Sequence, residues 1–212
     1  MAYIPIVVKK TLRFGRLCIV IGGEGQAGLM ANIFIFPTDS SAVGSYPGSA
    51  AQEGYGLDGV LPYLAERNQV EQLHGVYPAG RCYLWGVPDS DGNQRIWQEI
   101  EEDDLILGYR RQTIVVAAYV VMKISSPALA RQIWKNNLKE PFGLICFTDK
   151  PLSGETPVTA PLWRYLDENC PGFKKLAPEK CRHMKSDYGT FENFVRLGLG
   201  FAFPFSLRHS EE

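Results

Sequence analysis

The sequence predicts an α+β protein, a mixed β-structure flanked by helices and preceded by a β-rich extension. Three observations carry this prediction. Residues 81–147 alternate strand-like runs with short helical ones: RCYLWGVP, a helix carrying Trp97, ILGYRRQTIVVAAYVVMKI, and a helix carrying Trp134. The first forty residues hold three β-branched or aromatic runs, IPIVVKK, RLCIVIGG and ANIFIFP, separated by turn residues as in a small antiparallel sheet. Composition is that of a globular chain, 45% hydrophobic and 21% charged with glycine and proline scattered without period, so disorder is not expected.

After the third run, residues 39–58 are dominated by Gly, Ser, Ala and Pro, which reads as a domain boundary or a binding loop. A helix is predicted over residues 61–73. The chain therefore divides into a β-rich, Gly-rich segment at 1–75 and a second domain at 76–212. The longest apolar run, residues 113–122, is strand-sized and Val-rich, far short of a membrane span. No apolar stretch follows a basic start as in a signal peptide, and the five cysteines are odd in number and widely spaced. A soluble protein of the reducing cytoplasm is expected, with oligomeric state open.

Several motifs invite a function and fail on context. Gly23, Gly25 and Gly28 spell G-x-G-x-x-G after a strand, but a dinucleotide turn must open a helix, and LMANIFIFP is strand-like and ends at Pro37. A glycine-rich hairpin connection is expected instead. Cys170, Cys181 and His183 are metal-ligand types, yet no C-x-x-C supplies a closed zinc spacing. The histidines are isolated and no nucleophile elbow is present, so no metal, no cofactor and no hydrolytic centre is expected. The acidic run at residues 99–104, EIEEDD, reads as a solvated helix end and turn.

Net charge is −1, which gives no warrant for strong nonspecific binding to nucleic acid. One basic stretch stands out: residues 170–190 hold Lys174, Lys175, Lys180, Arg182 and Lys185 against Glu179 and Asp187. The aromatic residues offer more. Trp85 lies at a strand end beside Gly86 and Pro88, before the polar loop PDSDGNQ. Trp97 lies on the following helix, and Tyr109 closes the next strand before Arg110 and Arg111. Strand ends where loops gather are where ligands bind, and a flat base stacked on an aromatic face gains about 1–3 kcal/mol per contact.

The order from YLWGVPDSDGNQRIWQEIEEDD through LILGYRRQTIVVAAYVVMKI and LARQIWKN to FGLICFTDKP resembles the EVE-type members of the PUA-like superfamily. It is most similar to the N-terminal modules of McrB-type and HNH-type modification-dependent restriction enzymes. The resemblance covers about residues 80–152, and DYGTFENFVRLG resembles the closing aromatic segment of that family; residues 1–75 have no recognised counterpart. It implies a PUA-like mixed β-barrel flanked by helices that reads a modified base in DNA after flipping it from the duplex. Such a module is not itself an enzyme and is either the recognition half of a larger restriction enzyme, beside a nuclease domain or subunit, or a stand-alone reader, with no membrane association. By position, the implied pocket draws on Trp85, Asn93, Trp97 and Tyr109, and the implied phosphate contacts on Arg110, Arg111, Lys123, Lys174, Lys175 and Arg182. Trp134 is expected to pack, so Trp85→Ala should remove base preference while Trp134→Ala lowers stability.

Three other readings stay open at this point. An ASCH-like or PUA-like RNA binder would use the same barrel. A small nucleotide-acting enzyme could use the 39–58 loop as a lid. Finally, exposed N-terminal strands could serve oligomerisation.

Overall fold

The computed structural model describes residues 31–38, 54–134, 142–169 and 172–202. The runs IPIVVKK and RLCIVIGG, the glycine turn at 23–28, Cys170 and most of the 39–58 loop lie outside them. The strands are β1 (Ile33–Pro37), β2 (Tyr55–Gly56), β3 (Arg81–Val87), β4 (Leu105–Arg110), β5 (Thr113–Ser125), β6 (Leu144–Thr148), β7 (Leu152–Pro157) and β8 (Lys174–Lys175). Helices are α1 (Arg67–Val76), α2 (Asp91–Gln98), α3 (Pro127–Ile133), α4 (Pro178–Tyr188) and the short α5 (Phe191–Asn193), which runs into a π-helical turn at Phe194–Gly198. The protein is thus α+β, as predicted. No helix among the described residues is long and apolar enough to cross a membrane.

Among the described residues, one mixed, mostly antiparallel sheet holds all eight strands in the order β2-β3-β6-β5-β4-β1-β8, with β7 paired to β5. Of these strands only β1 and β4 run parallel. The division read at residue 75 does not separate sheets, because β1 and β2 come from before it and pair with β4, β8 and β3.

β5 organises the sheet. One of its edges carries β4, and the other carries β7 beside Thr113–Ala117 and then β6 beside Val120–Ser125. Register shifts between Ile114 and Val116 and between Val120 and Met122 bend it, since an unpaired extra residue sharpens the local twist. The effect is visible across the sheet. In a flat sheet β3 and β1, with three strands between them, would lie roughly 19 Å apart, four inter-strand spacings. Instead the rings of Phe36 on β1 and Trp85 on β3 meet with centroids 3.9 Å apart. The sheet therefore curls until its inner face is enclosed.

It does not close into the barrel the sequence suggested. β8 pairs with Phe34 and Ile35 on the outer edge of β1 and β2 with Arg81 and Cys82 on that of β3, β1 and β3 do not pair with each other, and side chains fill the gap.

Strand alternation distributes the apolar residues among three cores. Phe34, Phe36, Trp85, Val87, Ile106, Val120, Leu144 and Cys146 face inward together with Ile100. Ile33, Ile35, Leu105, Leu107 and Tyr109 face outward, under α4 and α5. Leu84, Ile145 and Phe147 lie under α1 and α3.

Two local readings are corrected. The helix predicted over 61–73 is two 3-10 turns, Leu57–Gly59 and Leu61–Tyr63, followed by α1 at Arg67–Val76. A capping box sets that later start, the Glu66 backbone N–H donating to Gln69 Oε1 at 3.3 Å. The acidic run is not wholly solvated either. Asp104 is buried, its Oδ1 accepting from the backbone N–H of Asn32 at 2.6 Å and its Oδ2 from that of Glu101 at 2.7 Å.

Candidate functional site

The inner face of the curled sheet is aromatic. Trp85 reaches it from β3, Phe34 and Phe36 from alternate positions of β1, and Phe173 from the residue before β8. Phe173 lies edge-on to Trp85, centroids 5.2 Å apart at 62°, and 6.2 Å from Phe34. Trp85 is completely buried, whereas Phe173 and Trp97 are only partly so and form the outward-facing side of the group.

The polar loop before α2 is fixed by its own hydrogen bonds. Ser90 caps α2, its Oγ accepting from the Asn93 backbone N–H, while Asn93 Nδ2 donates to the Pro88 carbonyl at 2.9 Å. Gln94 Nε2 donates to Asp89 Oδ1 at 2.6 Å. α2 then turns Ile96 and Trp97 against the inner core. Two of its last carbonyls are met by Lys123: the ammonium donates to Trp97 O at 3.2 Å, which also accepts the Ile100 backbone N–H at 3.1 Å, and to Gln98 O at 2.7 Å. The same ammonium lies 5.0 Å from the centre of the Trp97 ring, a cation–π contact.

Three buried side-chain polar atoms have no hydrogen-bond partner among the described residues: Trp85 Nε1, Trp97 Nε1 and Thr148 Oγ1. Leaving a buried donor or acceptor unpaired costs about 1–3 kcal/mol, so native proteins keep few such atoms. Cys146, opposite Trp85 on β6, offers the neighbouring Trp97 indole only a sulfur, a weak acceptor. Burial pushes its thiol up to about 12 despite Lys123 nearby, so it stays protonated and is a poor acceptor. Burial likewise pushes the Cys82 thiol up to about 11. Neither is a thiolate nucleophile near neutral pH.

The sequence-predicted site residues separate. Trp85 and Trp97 come together in the inner core. Tyr109 does not join them: after the register shift at Gly108 it packs in the outer core, its hydroxyl donating to Glu168 O at 3.4 Å. Asn93 serves the helix start. Because Trp85 is a core residue, truncating it would cost folding stability as well as any binding role, contrary to the division between Trp85 and Trp134 drawn from sequence.

The basic residues are mostly engaged. Besides Lys123, Lys174 donates to Asp167 at 2.6 Å and Lys175 to Glu99 at 2.9 Å, while Arg110 meets Glu155 at 3.4 Å. Desolvation alone would raise the Asp167 pKa, but Lys174 and Lys180 hold it below the ordinary carboxylate range. Arg111 and Arg182 are exposed, with no ion pair among the described residues. Cys181 is turned into the outer core, and His183 faces Glu179 at 3.7 Å.

Phe34, Phe36 and Phe173 were not assigned to the site from sequence. Strand periodicity over IFIFP puts Phe34 and Phe36 on one face, a signal available in the sequence, whereas nothing local marks Phe173. Compared with known proteins, the chain matches no family model and no curated protein.

Proposed function

We propose that this protein is a nucleic-acid-binding module of the PUA-like, EVE type that receives one modified base, flipped from duplex DNA, against Trp97, Phe173 and Trp85. In this reading it is the recognition part of a modification-dependent restriction system and acts with a nuclease domain or subunit. One observation carries it: two indole N–H groups are buried inside an aromatic cluster with no acceptor better than a thiol sulfur. A base offers what that cluster lacks, a flat π-face together with acceptors along its edge. Unstacking the base costs a few kcal/mol, which stacking at about 1–3 kcal/mol per ring and the hydrogen bonds offset. Arg111 and Arg182 contribute phosphate contacts, which position the strand without reading sequence.

The test is a band-shift comparison of duplexes carrying 5-methylcytosine, 5-hydroxymethylcytosine, N6-methyladenine or no modification, each with RNA competitor. Preferential binding of one modified duplex, accompanied by quenching of Trp97 fluorescence, is expected. Equal binding to all four duplexes refutes the proposal, and displacement by RNA transfers the site to an RNA ligand.

A further inference from the structure

Trp85 is completely buried, so a ligand reaches it only if the structure over it parts. The partly buried rings of the inner core, Trp97 on α2 and Phe173 just before β8, mark where that happens. One ion pair ties these two elements together. Lys175 is opposite Phe34 in the β8–β1 register, and directly opposed residues of a ladder share a face, so its side chain lies on the inner side with Phe34. Its ammonium is 5.9 Å from the centre of the Phe34 ring and donates to Glu99 Oε2, at the end of α2, at 2.9 Å. The pair thus spans the outward-facing side of the aromatic group from β8 to α2.

Its two flanks are not held equally. On the α2 side Ile100 is fully buried in the inner core, and the Lys123 ammonium holds the carbonyls of Trp97 and Gln98. That side is fixed. On the other side β8 is only two residues long and follows Gly172, whose φ of 136° suits glycine and where a Cβ would meet nothing within 4 Å. Element-terminal positions of this kind absorb the backbone rotation of a hinge. Leu176, whose backbone N–H donates to Ile33 O at 2.8 Å, and Lys174, bonded to Asp167, keep the strand itself in place. The moving parts are therefore Phe173 and the Lys175 side chain.

We propose that the Lys175–Glu99 ion pair is a latch over the inner aromatic cluster. It parts with a swing of Phe173 to admit the ligand and re-forms afterwards, so that Lys175 is not handed over to a phosphate. What enters rests on the base-binding proposal above, whereas the opening belongs to the free protein and is measured there.

The experiment follows hydrogen exchange of the Trp85 indole N–H in the free full chain, a group that is fully buried with no acceptor among the described residues, so that its exchange reports the opening. Glu99→Gln should speed that exchange about two- to fivefold, the range of a partly exposed ion pair. Salt at about 1 M, where the screening length falls to about 3 Å, should bring the wild type towards the same rate. Glu99→Lys combined with Lys175→Glu should restore slow exchange, and Glu71→Gln, which removes the ion pair with Arg67 on α1, should change nothing. Stopped-flow mixing of Glu99→Gln with a duplex carrying one modified base should show association and dissociation accelerated alike, with Kd little changed. Unchanged indole exchange in Glu99→Gln overturns the latch, as does equal acceleration of the β5 backbone amides, which would mean that the whole fold has loosened. Faster exchange with an unaltered association rate removes the latch from ligand entry. Faster exchange with no duplex bound leaves the latch standing and removes the base-binding reading instead.

Discussion

Asp104 accepts the backbone N–H of Asn32 at 2.6 Å across 72 residues of chain, joining the residue before β1 to the residue before β4. Desolvation raises its pKa above the ordinary carboxylate value although Asn32 and Glu101 donate to it. A carboxyl whose pKa rises on folding binds its proton more tightly in the native state. Its contribution to stability is therefore full at low pH and declines as pH rises from about 4 through the raised native value. Asp104→Asn should abolish that decline. It should also cost about 1–3 kcal/mol at pH 7, because the amide nitrogen cannot accept from Glu101. Urea denaturation between pH 3 and 7 checks both, and a variant with the same pH slope as wild type would refute the assignment.

Gly86 is required by Trp134. A Cβ on Gly86 would lie 2.6 Å from Trp134 Cη2 and 2.8 Å from the Phe142 carbonyl oxygen, closer than atoms can pack. Gly86→Ala should lower stability by about 1–3 kcal/mol through overpacking. Trp134→Ala relieves the ring part of that clash, though not the part with the Phe142 carbonyl, and leaves a cavity costing about 3–5 kcal/mol by itself. The double variant should therefore lose less than the two single losses added together. Simple additivity in thermal denaturation would mean that the residues do not share the space.

The β4–β5 hairpin turns on Arg111 and Gln112, whose φ values are 47° and 60°. Positive φ at both central residues defines the turn that suits strand twist, and it normally selects Asn-Gly. Each non-glycine residue held there carries a penalty of roughly 1–2 kcal/mol. Arg111→Asn combined with Gln112→Gly should stabilise the protein by about 1–2 kcal/mol while weakening DNA binding, since one proposed phosphate contact is lost. Gain of stability with unchanged affinity would remove Arg111 from the interface.

These examples show what local sequence could and could not reveal. The β-branched and aromatic run IFIFP and the Val-rich run of β5 identified strands, with short helical runs carrying Trp97 and Trp134 between strand-like ones. The contact between Phe36 and Trp85 could not be foreseen, because it depends on a curl imposed by register shifts in β5 and integrated over five strands. Arg111–Gln112 lacks the residues that normally announce such a turn. Asp104 looked like the end of a solvated acidic run because its partner Asn32 lies in a distant segment. A count of charges along residues 170–190 could not reveal that Lys174 and Lys175 face Asp167 and Glu99.

That neutralisation leads to a quantitative expectation for salt dependence. Each phosphate contact contributes about −0.9 to the slope of log K against log salt concentration on duplex DNA. If the six basic residues read from sequence all met phosphates, the slope would be about −5. Lys123 is occupied by the end of α2, and Lys174, Lys175 and Arg110 are paired with carboxylates, which leaves Arg111 and Arg182. The expected slope is therefore about −2, and Arg182→Gln should reduce its magnitude by about 1. Titration over a range of salt concentrations measures it directly. A slope near −5 would mean that these ion pairs open on binding, and that the face carrying β8 and the end of α2 belongs to the interface.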